Sequence, residues 1–326
     1  MSSAAPAATE AGARPRGRAP AVGAVLGLAL AAGAMALLGV SWAEVRDALR
    51  GAAPAPLVVA AVGSWALLGL QALRWWAVMR PVTPVRYRDA FGAMAVAFLL
   101  NAVLPGRGGD LLRVQWLGKR TGVSRAKLLG TEIVDLVSDK WGWTAAFPLL
   151  CLVEPPPGWL LRALGLLVAA LAAGSAVLAL MASRLGRRAD GASRGPAWLG
   201  NLRDGFAAQR WRRLLAVETV LAPLPWLWET LLIAVAARSL GLALSPMEAF
   251  ATLTAFNLAM VVPAPANVGS FEAGGAMALV GFGAARPAAM AFMILYHLTQ
   301  LVPGVLLGAA VLAWPRRGGT GGPGVR

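Results

Sequence analysis

The chain has 326 residues, of which 58% are hydrophobic and 14% charged, and its mean hydropathy is +0.65. Soluble domains carry roughly 25% charged residues, so this composition indicates an integral membrane protein. The net charge of +15 is concentrated in clusters between long apolar runs, which is typical of cytoplasmic loops and not of a nucleic-acid-binding domain. One cysteine and one histidine exclude an intrachain disulfide and a histidine-rich metal site. We predict neither a metal nor a cofactor.

Six apolar segments are long enough to cross a bilayer, which takes about 20 residues. They are residues 20–40, 56–79, 128–153, 159–181, 214–238 and 287–314. The first follows a basic tail and is longer than the apolar core of a typical signal peptide, so we interpret it as an uncleaved anchor. The predicted organisation is a disordered tail over 1–19, a membrane domain over 20–314 and a disordered tail over 315–326.

Two further apolar stretches are broken by proline and glycine, and both carry Ala-Phe, six residues and then Pro. The predicted turn residues are Pro105, Gly106 and Gly109 in the first stretch, and Pro263, Pro265 and Gly269 in the second. Broken backbone at membrane depth is tolerated only where protein or a water-filled cavity surrounds it. Paired interruptions in the two halves of a chain point to a transport site.

Charge distribution predicts how these stretches cross the membrane. Basic residues cluster in the N-terminal tail, over 107–127 and over 183–213, whereas the charges of 41–56 cancel and place that loop outside. If 90–104 crossed fully, the basic segment that follows would also lie outside. We therefore predict re-entrant hairpins over 90–117 and 247–283, which enter from opposite faces as in an inverted repeat. A rival count treats each hairpin as two short spans.

The predicted fold is an all-α polytopic membrane protein with about six full spans and two re-entrant helical hairpins. The N-terminus, the C-terminus and the basic loop 183–213 are predicted to be cytoplasmic. The predicted location is a bacterial inner membrane, crossed several times.

Polar side chains at the first hairpin are candidates for binding a phosphate. Arg107 and Arg113 carry donor forks suited to phosphate, and the glycines between them allow close backbone approach. Asn101 and Asp110 flank the turn, where Asp110 orients an arginine or caps the outgoing helix. The alternative is an ordinary cytoplasmic turn.

Further charges lie inside predicted spans, where each is a site candidate by default. Glu132, Asp135 and Asp139 share one helix face and are followed by Lys140. They are predicted to face a cavity, Lys140 or the arginines of the first hairpin, either as a charge relay or as structural ion pairs. Two more carboxylates are candidates, Glu229 in the fifth span and Glu272 at the second hairpin. For Glu272 the alternative is a first-turn carboxylate at a helix start.

Two motifs resemble a known family. One runs from Asn101 through Pro105-Gly106-Arg107-Gly108-Gly109-Asp110 to Arg113, and the other comprises Pro263, Pro265, Gly269 and Glu272. Both resemble the flippase-like membrane region of lysylphosphatidylglycerol synthases and its stand-alone relatives, the uncharacterised membrane family 0104. Asp110 stands where the family usually has Glu, and Asp135 to Asp139 matches a span motif with Asp for Glu and without its basic residue.

The resemblance implies a helical domain that moves lipids or lipid-linked compounds between leaflets, as a stand-alone member without the aminoacyl transfer domain. The leading hypothesis is translocation of an anionic phospholipid, glycolipid or lipid-linked intermediate, with Asn101, Arg107, Asp110, Arg113 and Glu272 at the head group. Membrane lipids are thus the expected partners, with a lipid-modifying enzyme as a further candidate and no nucleic acid. The alternatives are a membrane-embedded transferase acting on a lipid-linked sugar and an ion-coupled transporter of a small solute. No catalytic template is present, which favours a non-enzymatic role.

Overall fold

The computed structural model describes residues 18–104, 108–191, 217–262 and 264–314, together with residues 198, 200, 201 and 204. Within these ranges the regular elements are all helical, so the predicted all-α fold is confirmed. The α-helices are α1 (Arg18–Leu38), α2 (Trp42–Arg50), α3 (Pro54–Met79), α4 (Tyr87–Asn101), α5 (Gly108–Thr121), α6 (Arg125–Cys151), α7 (Gly158–Gly191), α8 (Pro223–Ala237), α9 (Pro246–Ala259), α10 (Ser270–Gly281) and α11 (Arg286–Ala313). The terminal tails, 1–17 and 315–326, lie outside the described residues.

The segment 41–56 was predicted to be an outside loop, but α2 occupies much of it. Ser41 and Glu44 form a capping box, in which the Ser41 hydroxyl accepts from the Glu44 N–H and the Glu44 carboxylate accepts from the Ser41 N–H at 2.7 Å. This pairing satisfies the first donors of the helix. Val45 is fully buried and Trp42 is 56% exposed. The axis of α2 lies 92° from that of Gly27–Leu38, so α2 branches sharply away from α1.

Both broken apolar stretches form pairs of short helices that pack against each other, α4 with α5 and α9 with α10. The four helices have 15, 14, 14 and 12 residues. At 1.5 Å per residue each is roughly 20 Å long, which is shorter than the ~30 Å hydrocarbon core. These lengths fit re-entrant hairpins better than pairs of full spans.

Four described helical segments are long and apolar enough to cross a membrane: Pro54–Met79, Gly158–Val177, Thr219–Leu240 and Arg286–Ala313. A fifth is counted if Gly27–Leu38 and α2 are taken together as one bent span. The 27 residues of α6 suffice for a crossing, but α6 contains the charged residues that the sequence places at 132–140. The prediction of six spans therefore remains a prediction. In addition, α7 continues to Gly191, so the start of the basic loop predicted at 183 is helical.

The contacts between helices repeat along the chain. In the first unit α3 packs on α4, α4 on α5 and α5 on α6, and in the second unit α8, α9, α10 and α11 make the same succession of contacts. The contacts between units also correspond in part, because α3 packs on α11 as α8 packs on α6, whereas α4 packs on α11 more extensively than α9 packs on α6. A side chain at Gly109 would collide with the Ala97 carbonyl, just as one at Gly274 would collide with that of Ala255. The repeated Ala-Phe motif thus lies where the two helices of each hairpin approach most closely.

Candidate functional site

The two hairpins meet around a cavity of about 210 Å³. Its wall is formed by α3, α6, α8 and α11 together with both hairpins. The polar residues of the lining are Gln71, Arg74, Asn101, Asp110, Arg113, Asp135, Asp139, Lys140, Glu229, Asn257, Asn267, His297 and Gln300. Several predicted site residues from distant parts of the sequence therefore converge on one cavity.

Asn101 joins the two helices of the first hairpin. Its Oδ1 accepts a hydrogen bond from the Gly109 N–H at 2.8 Å, and its Nδ2 donates to Asp110 Oδ1 at 3.2 Å. The amide thereby satisfies one of the free N–H groups at the start of α5 and holds the Asp110 carboxylate beside it. Pro105, Gly106 and Arg107 lie outside the described residues.

A chain of alternating charges runs along α6. Arg113 of α5 binds Glu132 through both Nε, at 2.9 Å, and Nη2, and its Nη2 also lies 3.4 Å from Asp135 Oδ2. Arg74 of α3 binds Asp135 through Nε at 2.9 Å and Asp139 through Nη1 at 2.6 Å. Three helices are tied together by these contacts.

Lys140 completes the chain, with its Nζ 2.9 Å from Asp139 Oδ2. The order is Glu132, Arg113, Asp135, Arg74, Asp139 and Lys140, so three carboxylates face three cations and the formal charge sums to zero. The first four side chains are at most 4% exposed, whereas Asp139 is 16% and Lys140 29% exposed. The chain is therefore sealed at one end and open to the cavity at the other.

Aromatic rings lie against two cations of the charge chain, Arg113 and Lys140. The Arg113 guanidinium lies 4.4 Å from the centroid of the Trp75 ring. The Lys140 ammonium lies 5.6 Å from Trp143 and 5.0 Å from Trp226, and these two indoles stack at 4.9 Å. Cation–π contacts of this kind stabilise a charge that has lost part of its hydration.

Glu229 of α8 also lines the cavity, next to this chain but not part of it. The charged groups near its carboxylate are Asp139 and Lys140. Among the described residues it makes neither a hydrogen bond nor an ion pair. In this respect it differs from the carboxylates of α6 and from Glu272.

Glu272 lies at the start of the second helix of the second hairpin. It accepts a hydrogen bond from the Gly269 N–H at 2.6 Å and contacts Nδ1 of His297, the single histidine of the chain. The His297 ring stacks on Phe271 with centroids 4.3 Å apart. Gly269 has φ +88°, which favours glycine, and it packs against α1. Pro265 begins a short 3₁₀ turn beside it, whereas Pro263 lies outside the described residues.

The sequence interpretation missed Arg74, which binds two of the three α6 carboxylates. It lies in a span that was treated as purely apolar, although an arginine in such a segment was a sufficient signal. Arg113 was assigned to a phosphate, but in the structure its Nε and Nη2 donate to Glu132 and its Nη1 contacts Met94 Sδ. In the part of the chain that the structure describes, no group of three His, Cys, Asp or Glu side chains could hold a metal ion.

Comparison with known proteins supplies the family. The model of the family described as the lysylphosphatidylglycerol synthase TM region matches residues 24–308, which is most of the chain. The chain belongs to this family. The lysylphosphatidylglycerol synthase TM region is a membrane family, which makes this chain a multi-pass membrane protein and is consistent with a role involving membrane lipids.

One curated relative of this lysylphosphatidylglycerol synthase TM region member is the "UPF0104 membrane protein" of Methanothermobacter thermautotrophicus (strain Delta H). It is 34% identical over 95 residues, which correspond to 28% of this chain and 28% of the relative. The match thus spans little more than a quarter of the relative's own length. No solved structure matches the chain.

Proposed function

We propose that the protein translocates a lipid with an anionic, phosphate-bearing head group between the two leaflets of a bacterial inner membrane. The head group enters the cavity between the hairpins while the acyl chains stay in the surrounding lipid. Phospholipids, glycolipids and lipid-linked intermediates share this chemistry, and an enzyme that makes or modifies such a lipid is the partner we expect. The termini are placed in the cytoplasm on the basis of the clustered basic residues.

One observation carries the proposal, the polar cavity at the meeting point of two short helical hairpins. Polar residues are costly at this depth unless they serve a pathway or pair with one another. Some of those around the cavity pair, but several polar groups still converge on open space, as they do in ligand sites. A family defined by a lipid synthase's membrane region provides independent support for a lipid as the ligand.

Of the cations around the cavity that the structure describes, Lys140 is the best placed to meet a phosphate. Its side chain is 29% exposed, against 4% for Arg74 and 4% for Arg113. Its ammonium can turn from Asp139 toward a ligand because Arg74 continues to neutralise that carboxylate. If Arg113 moved, the buried Glu132 would lose its cation, and if Arg74 moved, Asp135 and Asp139 would each lose a buried partner, which is unfavourable. This assignment moves the anion site from the first hairpin to the open end of the charge chain.

Reconstitution tests the proposal. Purified protein in liposomes should accelerate the exchange of acyl-chain-labelled phosphatidylglycerol between leaflets, followed by the fraction that dithionite added outside can bleach. Replacing Lys140 by Met should remove most of this acceleration, because the anion loses its accessible cation. The matched control is Lys119→Met, since Lys119 is exposed at the end of α5, away from the cavity.

Three results would contradict the proposal: wild-type liposomes no faster than protein-free ones, equal rates for Lys140→Met and wild type, or an equal loss in Lys119→Met. The melting temperature of each purified variant in detergent shows whether a loss of exchange follows from misfolding. We expect Lys140→Met to remain folded because Asp139 keeps its contact with Arg74.

A further inference from the structure

We propose that Glu229 is a proton-binding group, and that the protein takes up a proton at Glu229 together with the anionic head group. The inference rests on the proposed lipid function and adds the ion that accompanies the lipid. It follows from the charges around the cavity and from the surroundings of a single carboxylate.

Among the described residues, hydrogen bonds and ion pairs hold the other carboxylates of the cavity but not Glu229. Asp110, for example, accepts a hydrogen bond from Asn101. The six groups from Glu132 to Lys140 alternate in sign and sum to zero, and each carboxylate among them contacts at least one cation. Glu229 adds a carboxylate on the same side of the cavity with no ion-pair partner among the described residues. An isolated carboxylate at this depth avoids the cost of desolvation by binding a proton or a cation.

The groups around Glu229 come from the helices packed against α8. Of the two short turns that flank α8, Arg238–Leu240 carries the exposed Arg238, and the side chain of Glu218 in Val217–Leu221 lies outside those that the structure describes. From α6, Asp139 and Lys140 act on the carboxylate, one with the same sign and one with the opposite sign. From α11, the buried phenol of Tyr296 lies near Glu229, and the next residue, His297, contacts Glu272 of α10. From α3 the charged group at the cavity is Arg74, already bound to Asp135 and Asp139. From α9 the cavity receives the neutral amide of Asn257.

A proton fits this site better than a metal cation. Ca²⁺ takes six to eight oxygen ligands, Mg²⁺ takes six in an octahedron and Zn²⁺ usually takes four. Glu229 is a single carboxylate, and the nearest one, Asp139, already holds Arg74 and Lys140.

Coupling to the lipid follows from electrostatics. A phosphodiester brought to Lys140 lies in the same cavity as Glu229, so an ionised Glu229 would repel it. A proton on Glu229 removes that repulsion, and by linkage the bound lipid must favour the proton by the same factor. Lipid affinity should therefore be highest at low pH and should fall as the pH rises through the range in which Glu229 ionises with lipid bound.

The first experiment observes the proton without any lipid transport. Infrared difference spectra of the purified protein in zwitterionic nanodiscs, recorded during a pH titration, should contain a carboxylic acid C=O band. That band should disappear in Glu229→Gln, shift in Glu229→Asp and remain in Glu154→Gln. Glu154 is the matched control because it lies in the turn after α6 and does not line the cavity. An unchanged band in Glu229→Gln overturns the proton site.

The second experiment measures coupling. Short-chain phosphatidylglycerol, whose phosphodiester stays ionised throughout, is titrated calorimetrically into the protein in buffers of different ionisation enthalpy. The wild type and Glu154→Gln should take up protons on binding, and Glu229→Gln should take up none. Equal proton uptake in Glu229→Gln overturns the coupling, as would a sodium dependence of binding that replaces the pH dependence.

Liposome exchange separates the two proposals. If the wild type moves lipid and a pH gradient accelerates both the wild type and Glu229→Gln equally, the proton proposal fails while the lipid function stands. If the wild type moves no lipid, the lipid function and its coupling fail, whatever the infrared band shows. The supporting result is that a pH gradient accelerates lipid exchange by the wild type, whereas Glu229→Gln exchanges lipid at the same rate with and without the gradient.

Discussion

At the scale of single residues, Arg74 organises the charges of α6, because it is the only side chain in the described ranges that bridges Asp135 and Asp139. Its guanidinium is planar and its two donors reach both carboxylates from one position. The carboxylates at 132, 135 and 139 could be assigned to one helix face by spacing alone, and the structure brings them to Arg113, Arg74 and Lys140. Which arginine meets which carboxylate depends on helix packing, and no local pattern encodes that packing.

Replacing Arg74 by Ala should destabilise the protein by about 3–5 kcal/mol, because two carboxylates would lose a buried partner. The measurement is the midpoint of thermal unfolding in detergent, compared with Arg50→Ala. Arg50 pairs with Asp47 on the surface, where both side chains are more than half exposed, so its loss should change stability by less than about 1 kcal/mol. Similar midpoints for the two variants would show that the charge chain adds little to stability.

At the scale of helices, glycines decide how closely neighbouring elements approach. Gly304 and Gly308 of α11 face α4, where an added Cβ would overlap the Phe98 ring in one case and the Ala95 carbonyl in the other. This is the small-residue spacing that lets membrane helices pack backbone to backbone. The sequence predicted two hairpins from their breaks, but it did not predict α2, whose nine residues were too few and too polar to separate from a loop.

Gly308→Ala should destabilise the contact between α4 and α11, because a Cβ there has no room to move away from backbone. Overpacking of this kind costs about 1–3 kcal/mol. The control is Gly165→Ala in α7, where nothing lies within 4 Å of the added atom and the better helix propensity of Ala leaves stability unchanged or raises it. The midpoint of thermal unfolding and the rate of lipid exchange should both fall in Gly308→Ala and not in Gly165→Ala. A fall of equal size in both variants would contradict the packing argument.

At the scale of the whole molecule, the two four-helix units make equivalent contacts although their sequences share little beyond Ala-Phe and a proline. Composition and run length sufficed for the membrane class and for most helix positions. They did not suffice for the number of crossings, because α6 combines the length of a span with charges typical of a loop. Opposite orientation of the two units was predicted from loop charge, and labelling can test it directly.

Cysteine labelling in a Cys151→Ala background should place Lys119→Cys and Ala243→Cys on opposite sides of the membrane. Lys119 lies in the last turn of α5, at the end of the first hairpin, and Ala243 precedes the second hairpin, so an inverted repeat separates them. A membrane-impermeant maleimide should reach Ala243→Cys in right-side-out vesicles and Lys119→Cys in inside-out vesicles. Labelling of both positions from one side would contradict the inverted orientation.

The matching contacts of the two units have a consequence for motion. If the two units are inverted as predicted, an exchange of conformation between them would preserve the set of contacts and reverse the side on which the cavity opens. The two end states would then be related by an approximate two-fold rotation and close in free energy, so that one bound lipid could decide between them. Alternating access would follow from the duplicated architecture itself, without a separate moving domain.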